Sequence, residues 1–232
     1  MTPRYPLAFI HGAGGTKTKW RSLTSQLQED EYIAIDLPGH GSNDQELCSS
    51  IEEYGEVLAN EITEPVIAVG HSMGGLIALE WAKRGENVKG IILVGSGYAL
   101  PVHSSIIESL EEGTFPPFLF KASYAKSISE ALLEEERKEL EASPTNVALN
   151  DFIACDNYRN GRKTLESIQV PILSITGTED KLMPPQAVDR LKEANPRVET
   201  VVIEEAGHYV QLEKPEETLR NIEKFQKTLL NG

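Results

Sequence analysis

Six short, almost wholly apolar runs punctuate this chain at intervals too wide for hairpins, and that spacing constrains the fold more than any other feature. The runs are Leu7–Ile10, Tyr32–Ile35, Val66–Val69, Gly90–Val94, Val170–Ile175 and Thr200–Ile203, each four to six residues long. Apolar residues on both faces suit a parallel strand covered by helices on either side. Between the runs lie stretches of helical period at Lys19–Gln28, Ile51–Ile62, Gly74–Arg84 and Pro185–Ala194, with Pro215–Leu230 after the last run. Pro65, Pro171 and Pro185 stand where strands or helices begin, which suits their missing N–H. The alternation predicts an α/β protein, an open and mostly parallel sheet of about six strands flanked by helices.

One stretch breaks the rhythm. Residues 98–168 contain no buried-strand signature, so they are expected to form a mostly helical insertion over one end of the sheet, with 1–97 and 169–232 as the core. Within the insertion, Ser129–Glu141 carries six glutamates and reads as a solvated helix face between turns at Pro116–Pro117 and Pro144. At 232 residues the chain suits one domain, or one with an insertion, at ~150 residues per domain.

Charge narrows the function. With 22 Lys and Arg against 36 Asp and Glu, the formal net charge is −14, which repels phosphate backbones and anionic lipid. Nucleic-acid and polybasic membrane roles are therefore not expected. The apolar run at Leu7–Ile10 is too short for a signal-peptide core, and no run of ~18 apolar residues occurs. Cys48 and Cys155 form no CxxC and suit two reduced thiols, so the expectation is a soluble cytoplasmic protein.

The chemistry begins after the third run, at Gly70-His71-Ser72-Met73-Gly74-Gly75. The pattern G-x-S-x-G at a strand-to-helix junction forms a sharp turn that presents the serine in a strained conformation. A serine hydroxyl is a weak nucleophile without a base. In a parallel sheet the loops at the C-terminal strand ends converge, which makes His208, in the loop after the last run, the best base among five histidines. His71 should leave the turn in another direction. Asp180, in the loop after the fifth run, is the expected orienter of His208, with Glu179 as its neighbouring rival. His11-Gly12-Ala13-Gly14-Gly15 follows the first run, where small residues let backbone N–H groups approach a substrate oxygen. The N–H groups of Ala13 and Met73 are the expected oxyanion donors. A phosphate-cradling reading of this glycine loop fails, because positions 12, 14 and 17 are Gly, Gly and Lys, which breaks G-x-G-x-x-G, and Lys17-Thr18 follows Thr16 where a P-loop needs glycine.

HGAGG, Asp36-Leu37-Pro38-Gly39-His40-Gly41, GHSMGG, the run Pro171–Asp180 and AGHYVQLEKPEE resemble the α/β-hydrolase superfamily, near its esterases, haloperoxidases and C–C hydrolases. The resemblance covers nearly the whole chain, and the order Ser72, Asp180, His208 matches. It implies the α/β-hydrolase fold with residues 98–168 as a helical cap. The chain opens directly at the strand carrying HGAGG, so the usual N-terminal antiparallel hairpin is expected to be missing.

The expected function is a serine hydrolase that cleaves a small ester through an acyl-enzyme and needs no cofactor or metal. The same triad also serves thioesterases, lactonases, C–C hydrolases, perhydrolases and elimination catalysts, or a slow-turnover ligand sensor. Phe118, Tyr124, Phe152 and Tyr158 are the candidate substrate-binding residues, with Phe115 and Phe120 beside them. Arg159 and Arg162 are the arginines near the end of the insertion that could hold an anionic group.

Overall fold

A computed structural model describes residues 5–184 and 186–230. Six strands form one sheet: β1 (Leu7–Ile10), β2 (Tyr32–Ile35), β3 (Val66–His71), β4 (Val88–Val94), β5 (Ile172–Gly177) and β6 (Val198–Ile203). Their order is β2-β1-β3-β4-β5-β6 and every pairing is parallel. β1 and β2 coincide with their apolar runs, β3 and β5 end beyond theirs because His71 and Thr176 continue the backbone ladder, β4 and β6 begin before theirs, and β5 starts inside its run at Ile172.

Alternate side chains of the central strands feed two separate cores. Ala8, Ile10, Ala68, Ile91 and Leu93 pack with Tyr54, Leu76 and Trp81 on one face. Leu7, Phe9, Val69, Ile92 and Val94 pack with Trp20, Ile222 and Phe225 on the other. The edge strands depart from the apolar-on-both-faces expectation. All four residues of β2 are half-buried, and Val202 of β6 is exposed, because an edge strand lacks full helical cover.

Helices cover both faces. The segment expected as one helix over Lys19–Gln28 is a 3₁₀ turn at Lys17–Trp20 running into the short α1 (Arg21–Thr24). It sinks Trp20 onto Phe9, ring centroids 4.8 Å apart. Next come α2 (Ile51–Glu61) and α3 (Met73–Arg84). Five helices then occupy the insertion: α4 (Ser104–Glu111), α5 (Pro117–Ala122), α6 (Glu130–Ala142), α7 (Thr145–Asn157) and α8 (Gly161–Ser167). The chain ends with α9 (Ala187–Ala194), α10 (Val210–Glu213) and α11 (Pro215–Leu230). Pro185, expected at the start of α9, lies outside the described residues.

The insertion holds its own small core of Ile106, Leu110, Leu119 and Ala148, but its last part joins the body. Leu165 and Ile168 are buried in the main core. Buried Glu80 of α3 accepts hydrogen bonds from Tyr158 Oη (2.8 Å) and Thr164 Oγ1 (2.7 Å), and is paired with Arg84. Nor is α6 a fully solvated face. Glu136 is 1% exposed, because it accepts charge-assisted bonds from Lys19 Nζ (2.6 Å) and Arg21 Nη2 (2.7 Å) of the body and a bond from Tyr124 Oη (2.9 Å).

Among the described residues, no helix is long and apolar enough to cross a membrane.

Candidate active site

The junction of β3 and α3 holds Ser72 at φ 52°, ψ −119°, a conformation that a non-glycine residue adopts only under constraint. Three hydrogen bonds supply that constraint. Ser72 N–H donates to Val94 O (3.0 Å), while Ser72 O accepts from Ser96 Oγ (2.7 Å) and Gly75 N–H (2.9 Å). Gly74 lets α3 press against β1; a Cβ there would run into the carbonyl oxygens of Ile10 and His11. The turn raises the Ser72 side chain into a cavity of about 120 Å³ that His208 also lines.

His208 donates from Nδ1 to Asp180 Oδ2 at 2.9 Å, and both side chains are nearly excluded from solvent. The other Asp180 oxygen, Oδ1, accepts the N–H groups of Leu182 (2.9 Å) and Met183 (3.1 Å). Burial pulls the Asp180 carboxyl upward. His208 and the two N–H donors more than offset it, so the group lies below the ordinary carboxylate value. An ionised Asp180 requires hydrogen on Nδ1 and leaves Nε2 as the basic nitrogen. The rival Glu179 points elsewhere, accepting Lys126 N–H at 3.0 Å.

The loop of His208 is held from three sides. Its N–H donates to Ser123 O of the insertion (2.8 Å), and Glu213 accepts the N–H groups of Gly207 (3.1 Å) and Ala125 (2.8 Å). Its carbonyl accepts from His71 Nε2 at 3.1 Å. His71 thus leaves the turn in its own direction and lies buried between the rings of His208 and Tyr209, 4.8 and 4.6 Å from its centroid. Burial, then His208, pushes its pKa well below that of free imidazole, so it is a neutral support. Of the remaining histidines, His103 caps α4, while His11 and His40 sit under the glycine loop.

Ala13 lines the same cavity, and Met73 opens α3 directly after Ser72. Among the described residues neither N–H has an acceptor, so both can meet an oxygen bearing negative charge. A strained serine-bearing turn, a carboxylate-held histidine and two free amide donors thus converge at the C-terminal edge of a parallel sheet.

A family model for alpha/beta hydrolases matches residues 7–221. The chain belongs to the alpha/beta hydrolase family. A solved structure of a thermophilic esterase superposes with TM-score 0.83 and 32% identity, covering 98% of this chain and 91% of that one. Lipase 1 of Psychrobacter immobilis is 26% identical over 250 residues, 97% of this chain and 77% of that protein. A pimeloyl-[acyl-carrier protein] methyl ester esterase of Neisseria meningitidis is 28% identical over 220 residues, 86% and 84% of the two chains.

In this α/β hydrolase the wall facing Ser72 is apolar: Val102, Ile106, Phe115, Leu119, Phe152 and Leu182. Of the four aromatic residues expected there, Phe152 lines the cavity and three do not. Phe118 is 56% exposed, because α5 begins at Pro117 and turns Leu119 inward instead. Tyr124 stacks on Tyr209 and bonds to Glu136 beside the cavity, and Tyr158 is committed to Glu80. Arg159 is exposed and bonds to the Asp156 carbonyl, and Arg162 pairs with Glu166 on the surface. Tyr209, next to the expected base, was the lining residue most open to discovery from sequence. Among the described residues no cluster of three or more His, Cys, Asp or Glu side chains is placed to hold a metal.

Proposed function

We propose that this α/β hydrolase is a serine esterase cleaving small carboxylic esters through an acyl-enzyme. The observation that carries the reading is the Asp180–His208 bond at the cavity into which Ser72 is raised. The names of the esterase and lipase relatives agree with it. In the mechanism, Ser72 Oγ attacks the acyl carbon while His208 Nε2 takes its proton. The N–H groups of Ala13 and Met73 receive the developing oxyanion. His208 returns the proton to the departing alkoxide, and the alcohol leaves. Water, activated by the same imidazole, then attacks the acyl-enzyme and releases the acid. Asp180 fixes the His208 tautomer and stabilises the imidazolium, while residues 98–168 act as the cap that walls the acyl or alcohol group.

Size sets the substrate range. A cavity of about 120 Å³ is slightly smaller than the ~150 Å³ that holds a benzene ring, so a group of about four to six heavy atoms fits. Along a p-nitrophenyl ester series from acetate to octanoate, kcat/KM should peak at or below butanoate to hexanoate and fall at octanoate. Ser72→Ala should show no turnover. If that variant keeps wild-type activity, Ser72 is not the nucleophile.

A further inference from the structure

The two peptide groups flanking Ala13 are each pinned by a buried side chain. The Gly12–Ala13 peptide is held through Gly12 O, which accepts from His11 Nδ1 (2.9 Å) and Gly15 N–H (3.1 Å). His11 Nε2 in turn accepts the Leu37 N–H at 3.2 Å, so this ring is neutral, and burial together with His40 lowers its pKa to about 4. The Ala13–Gly14 peptide is held through Gly14 N–H, which donates to Asp151 Oδ2 at 2.8 Å. Asp151 comes from α7 of the insertion, 137 positions away, and is fully buried.

The same oxygen of Asp151 accepts from His40 Nε2 at 2.8 Å, while Oδ1 accepts from Tyr54 Oη at 3.1 Å. His40 Nδ1 lies 2.9 Å from Pro38 O, an atom that can only accept. Both ring nitrogens of His40 therefore face oxygen acceptors, which calls for a doubly protonated ring beside an ionised carboxylate. Burial opposes that charge, and Asp151 raises the His40 pKa in spite of it. A buried charge pair of this kind is costly to break and holds its partners in one geometry. Gly14 has φ +63°, and a Cβ there would meet Ala148 Cβ of α7 at 2.9 Å, so helix and loop are in direct contact.

We propose that Asp151, with His40 as its cationic partner, is the positioning residue that sets the oxyanion-binding N–H of Ala13, so that the insertion and not the sheet alone determines the oxyanion hole. This deepens the esterase reading and rests on it. The mechanistic role is to aim a donor at charge present only in the transition state, so its loss should appear in kcat and not in KM.

The test is steady-state hydrolysis of p-nitrophenyl butyrate, with inhibition by butylboronic acid, whose tetrahedral serine adduct places an oxygen in the oxyanion position. Removing one oxyanion donor outright costs about 10²–10³ in kcat, so misaiming it in Asp151→Ala should lower kcat roughly 10- to 100-fold. KM should stay within about twofold, and the boronate affinity should fall in step with kcat. Asp151→Asn can turn its oxygen toward Gly14 and His40 and its amide toward Tyr54 Oη, so the folded variant should keep most of kcat while its Tm falls, because His40 loses its counter-charge. Ala148→Val, which leaves the buried charges alone but crowds Gly14, should show the same kcat-only loss and decides the matter if Asp151→Ala does not fold. The proposal is overturned if folded Asp151→Ala, or in its absence Ala148→Val, keeps kcat and boronate affinity within threefold of wild type. It is equally overturned if KM rises as much as kcat falls. Wild type run alongside separates the two readings: an inactive wild type that takes no boronate overturns both, whereas active wild type with equally active variants overturns only this one.

Discussion

Asp180→Asn should lower kcat by about 10⁴-fold while leaving the fold intact, the size of effect that follows when a catalytic imidazole is held in the wrong tautomer. The geometry dictates which way the new amide must face. Asp180 Oδ1 accepts two backbone N–H groups, from Leu182 and Met183, and an NH₂ group cannot take that place. The amide nitrogen of the substituted side chain is therefore forced into the position of Oδ2, opposite His208 Nδ1. There it donates, so Nδ1 must become the acceptor and the ring hydrogen moves to Nε2, the nitrogen that should take the Ser72 proton. The base is disabled without a side chain moving. Measuring kcat for p-nitrophenyl butyrate beside a thermal melt checks this, and a loss below tenfold would remove Asp180 from the mechanism.

Glu136→Ala should destabilise the protein by about 3 kcal/mol, the lower end of the cost of orphaning a buried ion pair. The lower end applies because Lys19 keeps Glu139 at 2.6 Å and Arg21, partly exposed, can turn to water. For a chain of this size the loss corresponds to a drop of roughly 6–12 °C in Tm. Glu134→Ala is the control. Among the described residues its exposed carboxylate pairs with Arg137 and Lys138 of its own helix alone, so it should change stability by less than about 0.5 kcal/mol. The Glu136 contribution also has a defined pH sign. Burial raises its pKa, but Lys19, Arg21 and Tyr124 outweigh that and hold it below the ordinary value. A carboxylate depressed by folding stabilises fully above its unfolded pKa, and that stabilisation is lost as pH falls through the folded one. The gap between wild type and Glu136→Gln in urea unfolding should be widest at neutral pH and close in acid. A gap that grew on acidification would reverse the assignment.

The gathering of Ser72, Asp180 and His208 was legible because a parallel sheet leaves little freedom: residues just past the C-terminal strand ends must meet at one edge. Asp180 and Glu179 differ by one position, and the turn that sends Oδ1 of one to Leu182 and Met183 sends the other to Lys126. The cavity wall was less legible. In a helix as short as α5, neighbouring Phe118 and Leu119 look alike, and only the helical phase set at Pro117 turns one to solvent and the other inward. Glu136 misled for a different reason. Its partners Lys19 and Arg21 lie 117 and 115 positions away, so a six-glutamate helix showed no sign that one member was buried. Asp151 was hidden likewise, since the Gly14 amide and His40 meet it only through the folded insertion.

The grip of the Ser123 carbonyl on the His208 N–H, of the Ala125 N–H on the Glu213 carboxylate and of the Asp151 carboxylate on the Gly14 N–H means that the segment above the sheet is tied into the body beneath it. Grafting this segment from one relative to another, as a way to trade specificity, would carry away struts of the base and of the oxyanion loop together with the wall of the cavity. Under the proposed mechanism, a chimera that keeps Ser72, Asp180 and His208 yet omits those struts should turn over far more slowly than either parent. Exchanging side chains along the wall should therefore be tolerated better than exchanging the scaffold that reaches down to the sheet.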